Sequence, residues 1–315
     1  MRIIEKEVVT NTKTVKYRIY PLGDIHIGAL NCAEKEFHRV VSKIASDPYA
    51  YWVGGGDYCD AVILGDAKRF DVNTLPNWML SGGAKKVRMN MGDMLKAQQD
   101  RFLKIVDPIR DKCLGLIEGN HEYSIFKYHN RDHMNRLCEA LKVPNLTDCA
   151  FIRFMMRLDN LKPKTKAKRQ KGGGHRSVVT SSQSAMVFIC HGHGGGRTSG
   201  SEPNRLYRLA ADKDADIIFT GHSHSFHIHP PIPVLYVPST HILPTEARVR
   251  EKHAVNWGAY LYTYANGPST YASRANYPVR PMYTANALIN PFIERSDGTG
   301  HRRRIFITTI EPVKL

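Results

Sequence analysis

Five apolar stretches each run into a short group of side chains that bind cations or carry protons. In chain order these are GDIHIG with Asp24 and His26, GGDYCD with Asp57 and Asp60, GNHE with Asn120 and His121, CHGHGG with His191 and His193, and TGHSH with His222 and His224. Carboxylate, imidazole and amide oxygen without thiolate suit borderline or harder divalent ions such as Mn, Fe or Zn, whereas a closed structural zinc site would draw on cysteine. A chain with 15 histidines in 315 residues produces close pairs by chance, so no single group decides anything. Five groups, each at the end of a strand-like segment, form a pattern. In an α/β sheet the carboxyl ends of the strands converge on one crevice and pool ligands from distant positions.

The elements that must position these groups are visible around them. YRIYPLGD, YAYWVGGGD, KCLGLIEGNHE, SAMVFICHGHGGG and ADIIFTGHSH read as buried strands that stop at glycine or at a polar cluster. AEKEFHRVVSKIAS, MGDMLKAQQDRFLKIVDPI, RDHMNRLCEALKV and the stretch around NRLYRLAAD carry a helical apolar period. Strand and helix alternate, which indicates an α/β sandwich or layered sheet. The first 20 residues alternate with β-branched side chains about a TNTK turn and predict a hairpin, residues 66 to 90 look irregular, and the last 75 read as antiparallel strands. LKPKTKAKRQKGGGHR, residues 161 to 176, holds seven Lys or Arg and three consecutive glycines, the composition of a solvated basic loop.

Totals set further bounds. Lys and Arg outnumber Asp and Glu by 45 to 29, a formal charge of +16 that attracts polyanions and makes nucleic acid a natural partner. No apolar run is long enough to span a bilayer and MRIIEKEVVT carries charges where a signal peptide needs an apolar stretch, so no membrane is expected. The six cysteines form no CxxC pair and sit mostly in apolar segments, as in a reducing, cytoplasmic compartment.

Taken in order, GDIHIG, GDYCD, GNHE, HGH and GHSH resemble the calcineurin-like metallophosphoesterases, a superfamily that includes Ser/Thr protein phosphatases, purple acid phosphatases, cyclic-nucleotide phosphodiesterases and SbcCD-type DNA-repair nucleases. The resemblance runs from about residue 17 to 225. It implies a four-layer α/β/β/α sandwich with a dinuclear metal site at the strand ends. Residues 1–315 would form a single such domain, with 161–176 as a basic loop insertion and 240–315 as a β-rich part completing the sandwich. It places one divalent ion, Mn or else Fe or Zn, between Asp24, His26, Asp57 and His224, and a second between Asp57, Asn120, His191 and His222. Such a pair neutralises a phosphate and supplies a bridging hydroxide at neutral pH. The resemblance makes His121 the proton donor to the leaving oxygen and Asp60 the carboxylate that orients it. Glu122 either takes part or fixes its loop, His193 either contacts substrate or one of the metal ligands or is only a loop histidine, and Arg197 is a candidate phosphate contact. His227 and His229 lie beyond the turn and read as surface residues.

Reaction and substrate separate at this point. Protein phosphatases of the family carry Arg and Gly where this chain has Ala61 and Val62, which counts against a phosphoprotein. A DNA or RNA nuclease fits the charge: Lys164, Lys166, Lys168 and Arg169 in the loop and HRRR at 301 to 304 offer backbone contacts. Tyr260, Tyr262, Tyr264, Tyr271, Tyr277 and Tyr283, with Arg274 and Arg280, suit either base stacking or a β-rich region built on tyrosine. The alternative is a phosphatase or phosphodiesterase for a small molecule or phosphoprotein, and a binding module without catalysis is a third reading. An ATPase partner, as in the DNA-repair relatives, or a homodimer is also open.

Overall fold

The computed structural model describes residues 1–65, 70–159, 181–194, 200–237, 247–264, 279–296 and 302–315. Its strands are β1 (Arg2–Thr10), β2 (Tyr17–Leu22), β3 (Ala50–Gly54), β4 (Cys113–Leu116), β5 (Cys149–Leu158), β6 (Ser181–Cys190), β7 (Ile217–Thr220), β8 (Phe226–Ile228), β9 (Ile232–Tyr236), β10 (Arg248–Trp257), β11 (Tyr283–Ser296) and β12 (Arg302–Lys314). Its α-helices are α1 (Glu34–Ser46), α2 (Asn77–Leu80), α3 (Ala84–Gly92), α4 (Met94–Val106), α5 (Asn120–His129), α6 (His133–Leu141) and α7 (Ser201–Asp212).

The strands form two sheets. One runs β1-β5-β6-β7-β10-β8, with β9 paired to β10, and the other runs β12-β11-β2-β3-β4. Val53, Leu114, Ile152, Phe154, Val187, Phe219, Val255 and Ala287, drawn from both sheets, pack into one buried layer between them. Phe37, Val40 and Ile44 of α1, Phe102 and Val106 of α4 and Leu137 of α6 cover the other face of the smaller sheet over Leu22, Trp52 and Leu116. Leu206 and Ala210 of α7 cover the larger sheet over Phe188, Ile218 and Ala254. The result is the expected four-layer α/β/β/α sandwich. The central strands are apolar on both faces because both are covered: in β7, Ile217 and Phe219 face the other sheet while Ile218 faces α7.

β2, β3 and β4 run parallel, and β6, β7 and β10 run parallel. Their carboxyl ends carry the polar groups. Three local expectations fail. β1 and β2 make no hairpin: β1 pairs in parallel with β5 and β2 joins the other sheet, because alternation defines a strand but not its partner. Part of the stretch read as irregular folds as α2 and α3; α3 buries none of its residues, so an apolar period is barely written in it. The C-terminal strands are not all antiparallel, since β10 pairs in parallel with β7 and antiparallel with β8 and β9, while β11 pairs antiparallel with β2 and β12. Residues 161–176 lie outside the described residues, as do Arg197, Tyr271, Arg274, Tyr277 and His301; Arg302 to Arg304 are described only as backbone of β12.

Candidate metal centre

Each strand end turns sharply, and the ligand side chains stand on those turns. Asp24, His26, Asp57, His222 and His224 all have positive φ, between 49° and 69°. Such a conformation costs non-glycine residues free energy and persists only where the surroundings fix it. The surroundings here are main-chain bonds between the loops: Asp24 donates to the Gly56 carbonyl at 3.0 Å, and Ile25 and His26 both donate to the Asp57 carbonyl, at 2.9 and 3.0 Å. Glu122, fully buried, accepts from the amides of Asp57 at 2.8 Å, Tyr58 at 2.9 Å and Gly119 at 3.0 Å. That places Glu122 in the role of fixing the loop. Burial and the nearby Asp57 charge push its carboxyl up to about 7.

Trp257, at the end of β10, was not legible as a site residue. Its indole Nε1 donates to Asp24 Oδ2 at 2.6 Å, and the same oxygen accepts from the His222 amide at 3.0 Å. A Cβ added to Gly23, Gly55 or Gly221 would stand 2.9, 2.6 or 2.2 Å from the indole ring. Three strand ends therefore meet on one ring only because they carry glycine. A tryptophan is neither ligand nor acid, so only its end-of-strand position beside a glycine hints at this.

The candidate ligand atoms converge in three overlapping groups: Asp24, His26 and His224; Asp57, His191 and His222; and His26, Asp57 and His121. His26 Nε2 faces His224 Nε2 at 3.1 Å, and His224 Nε2 lies 3.2 Å from Asp24 Oδ1. In the second group His191 Nε2 lies 3.2 Å from Asp57 Oδ2, 3.0 Å from Asn120 Oδ1 and 3.3 Å from His222 Nδ1, with 2.7 Å between the last two. Asp57 Oδ2 is also 3.8 Å from His26 Nε2, so this carboxylate stands between the groups. Ligands held about 2.1 Å from one ion at tetrahedral or octahedral angles stand roughly 3.0–3.4 Å apart, the range of the His26–His224, His224–Asp24 and His191 contacts.

The donor set fits divalent cations. Asp24 Oδ1 is buried with the His224 Nε2 contact at 3.2 Å beside it, and two imidazole Nε2 atoms meet head on. His191 Nδ1 donates to the Gly55 carbonyl at 2.8 Å, which leaves Nε2 to point its lone pair at two oxygens. These atoms are the ones a divalent cation would draw together. Without a metal a proton serves: burial works against the His191 imidazolium, but Asp57 overrides it and raises the group to about 10. Burial likewise opposes ionisation of Asp57, and the imidazoles of His121 and His191 outweigh it, holding the carboxyl well below its usual range. None of the groups of three formed by the described residues includes a cysteine.

Asn120 and His121 open α5 directly after Gly119, where the sequence suggested only a strand end. A helix N-terminus favours anions through its free amides and dipole. His121 takes its place beside the cluster: its amide donates to Asp57 Oδ1 at 2.9 Å, its ring centroid is 4.6 Å from that of His26, and Nε2 is 3.9 Å from Asp57 Oδ2. Asp60 holds the ring differently from the expectation. His121 Nδ1 bonds the Asp60 main-chain carbonyl at 2.7 Å, whereas the carboxylate is 3.9 Å from it and 3.6 Å from His26 Nδ1. A carbonyl fixes the ring and leaves Nε2 facing the cluster.

The remaining candidates fall around this centre. His193 is exposed, and its carbonyl accepts from Arg205 at 3.4 Å. Arg205 also reaches the carbonyls of Gly194 and Gly221 and the Glu202 carboxylate, tying α7 to the loop that carries His222. Arg280 donates to the Ser223 carbonyl, between His222 and His224, at 2.8 Å. Tyr260 is buried against Phe37, Tyr283 stacks on Phe226, and Tyr262 and Tyr264 are exposed.

Known proteins resemble the chain to different degrees. No curated protein matches it. Among solved structures, a single-point mutant of Vps29 from Entamoeba histolytica is 10% identical with a TM-score of 0.33, covering 95% of this chain and 99% of that one. A hypothetical protein from Thermus thermophilus is 12% identical with a TM-score of 0.32, covering 94% and 99%. Neither likeness adds to the argument. The family comparison does: residues 17–226 match the model described as calcineurin-like phosphoesterase, a span that includes every strand-end group above. The chain belongs to the calcineurin-like phosphoesterases, a family of metal-dependent hydrolases of phosphoesters.

Proposed function

We propose that this protein is a two-metal phosphodiesterase that cuts DNA or RNA. The observation that carries the reaction is the pair of ligand groups sharing Asp57, with His121 Nε2 facing them. Asp24, His26, Asp57 and His224 would hold one divalent ion and Asp57, Asn120, His191 and His222 the other. When bound, such ions neutralise the phosphate and lower the pKa of the attacking water. The chain's own residues do the rest. Imidazole, carboxylate and amide oxygen without thiolate favour Mn, with Fe or Zn as alternatives.

His121 is fixed at Nδ1 by the Asp60 carbonyl, so Nε2 is the atom that delivers a proton to the leaving oxygen as the P–O bond breaks. The N-terminus of α5 adds amide dipoles where negative charge collects. Arg280, anchored between His222 and His224, brings a guanidinium to the same rim. For the substrate, support comes from the excess of sixteen positive charges, which attracts a polyanion more strongly than a small ester. Lys164, Lys166, Lys168, Arg169, Arg197 and His193 remain proposed substrate contacts on that ground, and an ATPase partner or a second copy remains a proposed associate.

The test is a Mn-supplemented digestion of end-labelled single- and double-stranded DNA and RNA beside bis-p-nitrophenyl phosphate, with wild type and Asp57→Asn in parallel. Polynucleotide cutting that disappears in Asp57→Asn is the expected result. Turnover of the small diester alone would keep the chemistry and replace the nuclease by a small-molecule phosphodiesterase.

A further inference from the structure

α5 begins at the metal centre and ends in solvent, and its outer face is unusually aromatic. Its inner face is Glu122 and Ile125, at 0% and 3% exposure, with Ile125 packed on Leu95 of α4 and on Ala61. Outside stand Tyr123 at 51%, Phe126 at 50% and Tyr128 at 69%. Seven aromatic side chains are exposed among the described residues, and these three lie on one ten-residue helix. Tyr123 and Phe126 are three residues apart and so neighbours on the helix surface, whereas Tyr128 lies about 140–160° round the helix from them. Adjacent exposed rings form an apolar patch of the kind that marks an interaction site.

Charge identifies the cover. Lys127 Nζ lies 5.1 Å from the Tyr128 ring centroid, and the helix's one acidic residue, Glu122, is buried beneath the loop it fixes. Arg131, just past the helix, grips both oxygens of Asp93 at 3.0 and 2.8 Å, which ties the far end of α5 to the end of α3. α3 exposes Lys85, Lys86 and Arg88 and contains no acidic residue. The neighbouring rings of Tyr123 and Phe126, with positive charge at Lys127 and on α3, match a ligand with flat faces and an anionic backbone. The direction also fits: side chains on a helix lean toward its N-terminus, here toward Asn120 and His121, and ten residues span about 15 Å.

We infer that the outer face of α5 is a stacking platform for unpaired bases, which feeds a single strand of nucleic acid into the metal centre, with α3 holding the backbone beyond it. This rests on the nuclease reading above and narrows it to single-stranded substrate. Tyr123 and Phe126 would stack on bases, and Lys127, Lys85, Lys86 and Arg88 would meet phosphates.

The experiment measures fluorescence-anisotropy binding of a cutting-resistant phosphorothioate oligothymidylate and of a blunt duplex to the full chain. Wild type is compared with Tyr123→Ala/Phe126→Ala, Tyr128→Ala and the ring-keeping Tyr123→Phe/Tyr128→Phe. Turnover of bis-p-nitrophenyl phosphate is read on the same preparations. Single-strand affinity should fall about tenfold in the double alanine variant, given the worth of one or two stacked bases. The duplex should be affected less, the ring-keeping variant should bind like wild type, and small-diester turnover should stay within about twofold. A double alanine variant that binds the oligothymidylate like wild type, equal weakening on duplex, or a change in sedimentation mass with unchanged strand binding would overturn the platform. Wild type that binds strands through α5 but cuts no polynucleotide would keep the platform and remove the nuclease reading instead.

Discussion

The metal centre and the outer face of α5 share a helix yet are built by opposite rules. At the centre the backbone is tightly constrained: five candidate ligand residues sit at positive φ, Glu122 accepts from three amides, and three glycines abut the Trp257 ring. One turn further along α5, Tyr123, Phe126 and Tyr128 are half or more exposed. The first arrangement holds charged groups together against their own desolvation, and the second leaves surface open for a ligand to cover. A fault in the first should therefore reach every substrate, and a fault in the second only those long enough to touch it.

The largest effect that would sharpen this contrast is expected at Gly221→Ala. Its new Cβ would stand 2.2 Å from the indole and 2.4 Å from Asp24 Oδ2, neither of which has free space to retreat into. Overpacking of this kind costs about 1–3 kcal/mol or more. A lowered melting temperature and a lost metal equivalent by mass spectrometry should accompany equal loss of activity on diester and polynucleotide. If metal content and stability match wild type, the ring is not the support described.

His121→Asn comes next. Only the proton donor is removed, so kcat should fall by about two to four orders of magnitude while bound metal is retained. Loss of both metals in this variant would make His121 a ligand and blur the line between holding and reacting.

The centre should also respond to pH once metal is chelated. His191 in the folded chain is raised to about 10 from an ordinary 6.5. A raised imidazole contributes stability that is full below 6.5 and is lost as pH rises toward about 10. Thermal melts of the chelated protein should therefore decline over that window. The metal-loaded protein should decline less, because a metal at this site would take the His191 lone pair in place of a proton. Identical declines would remove His191 as the proton's seat.

The smallest effect belongs to the outer surface. Replacing Lys85, Lys86 and Arg88 with serine should lower the salt slope of single-strand binding by about 2, at roughly 0.7 per phosphate contact. Small-diester turnover should be untouched. A variant impaired on both substrates would break the separation of the two regions.

The legibility of the two regions in sequence follows the same division. The five strand-end groups were readable because each pairs an apolar run with ligand-type residues, and the layered fold was readable because strand and helix periods alternate. Trp257 escaped because its contribution is a surface against which Gly23, Gly55 and Gly221 pack, and Asp60 was read as acting through its carboxylate when its carbonyl makes the bond. The N-terminal hairpin was misread because periodicity records which face is buried and is silent about which strand lies alongside. α5 was missed because GNHE sits where strand ends and helix starts, within a few residues.

The sequence by itself determined the inventory of chemistry: which side chains, in which order, at the ends of which apolar segments, together with the charge that a polyanion would meet. Those follow from residue type and local period, which are properties of the chain alone. Only the tertiary structure decided that Asp57 stands between two ligand groups, that Glu122 holds backbone instead of substrate, and that three aromatic rings face solvent beside the metal centre. These are distances between residues tens to hundreds of positions apart, and they are set by how the two sheets close on one another.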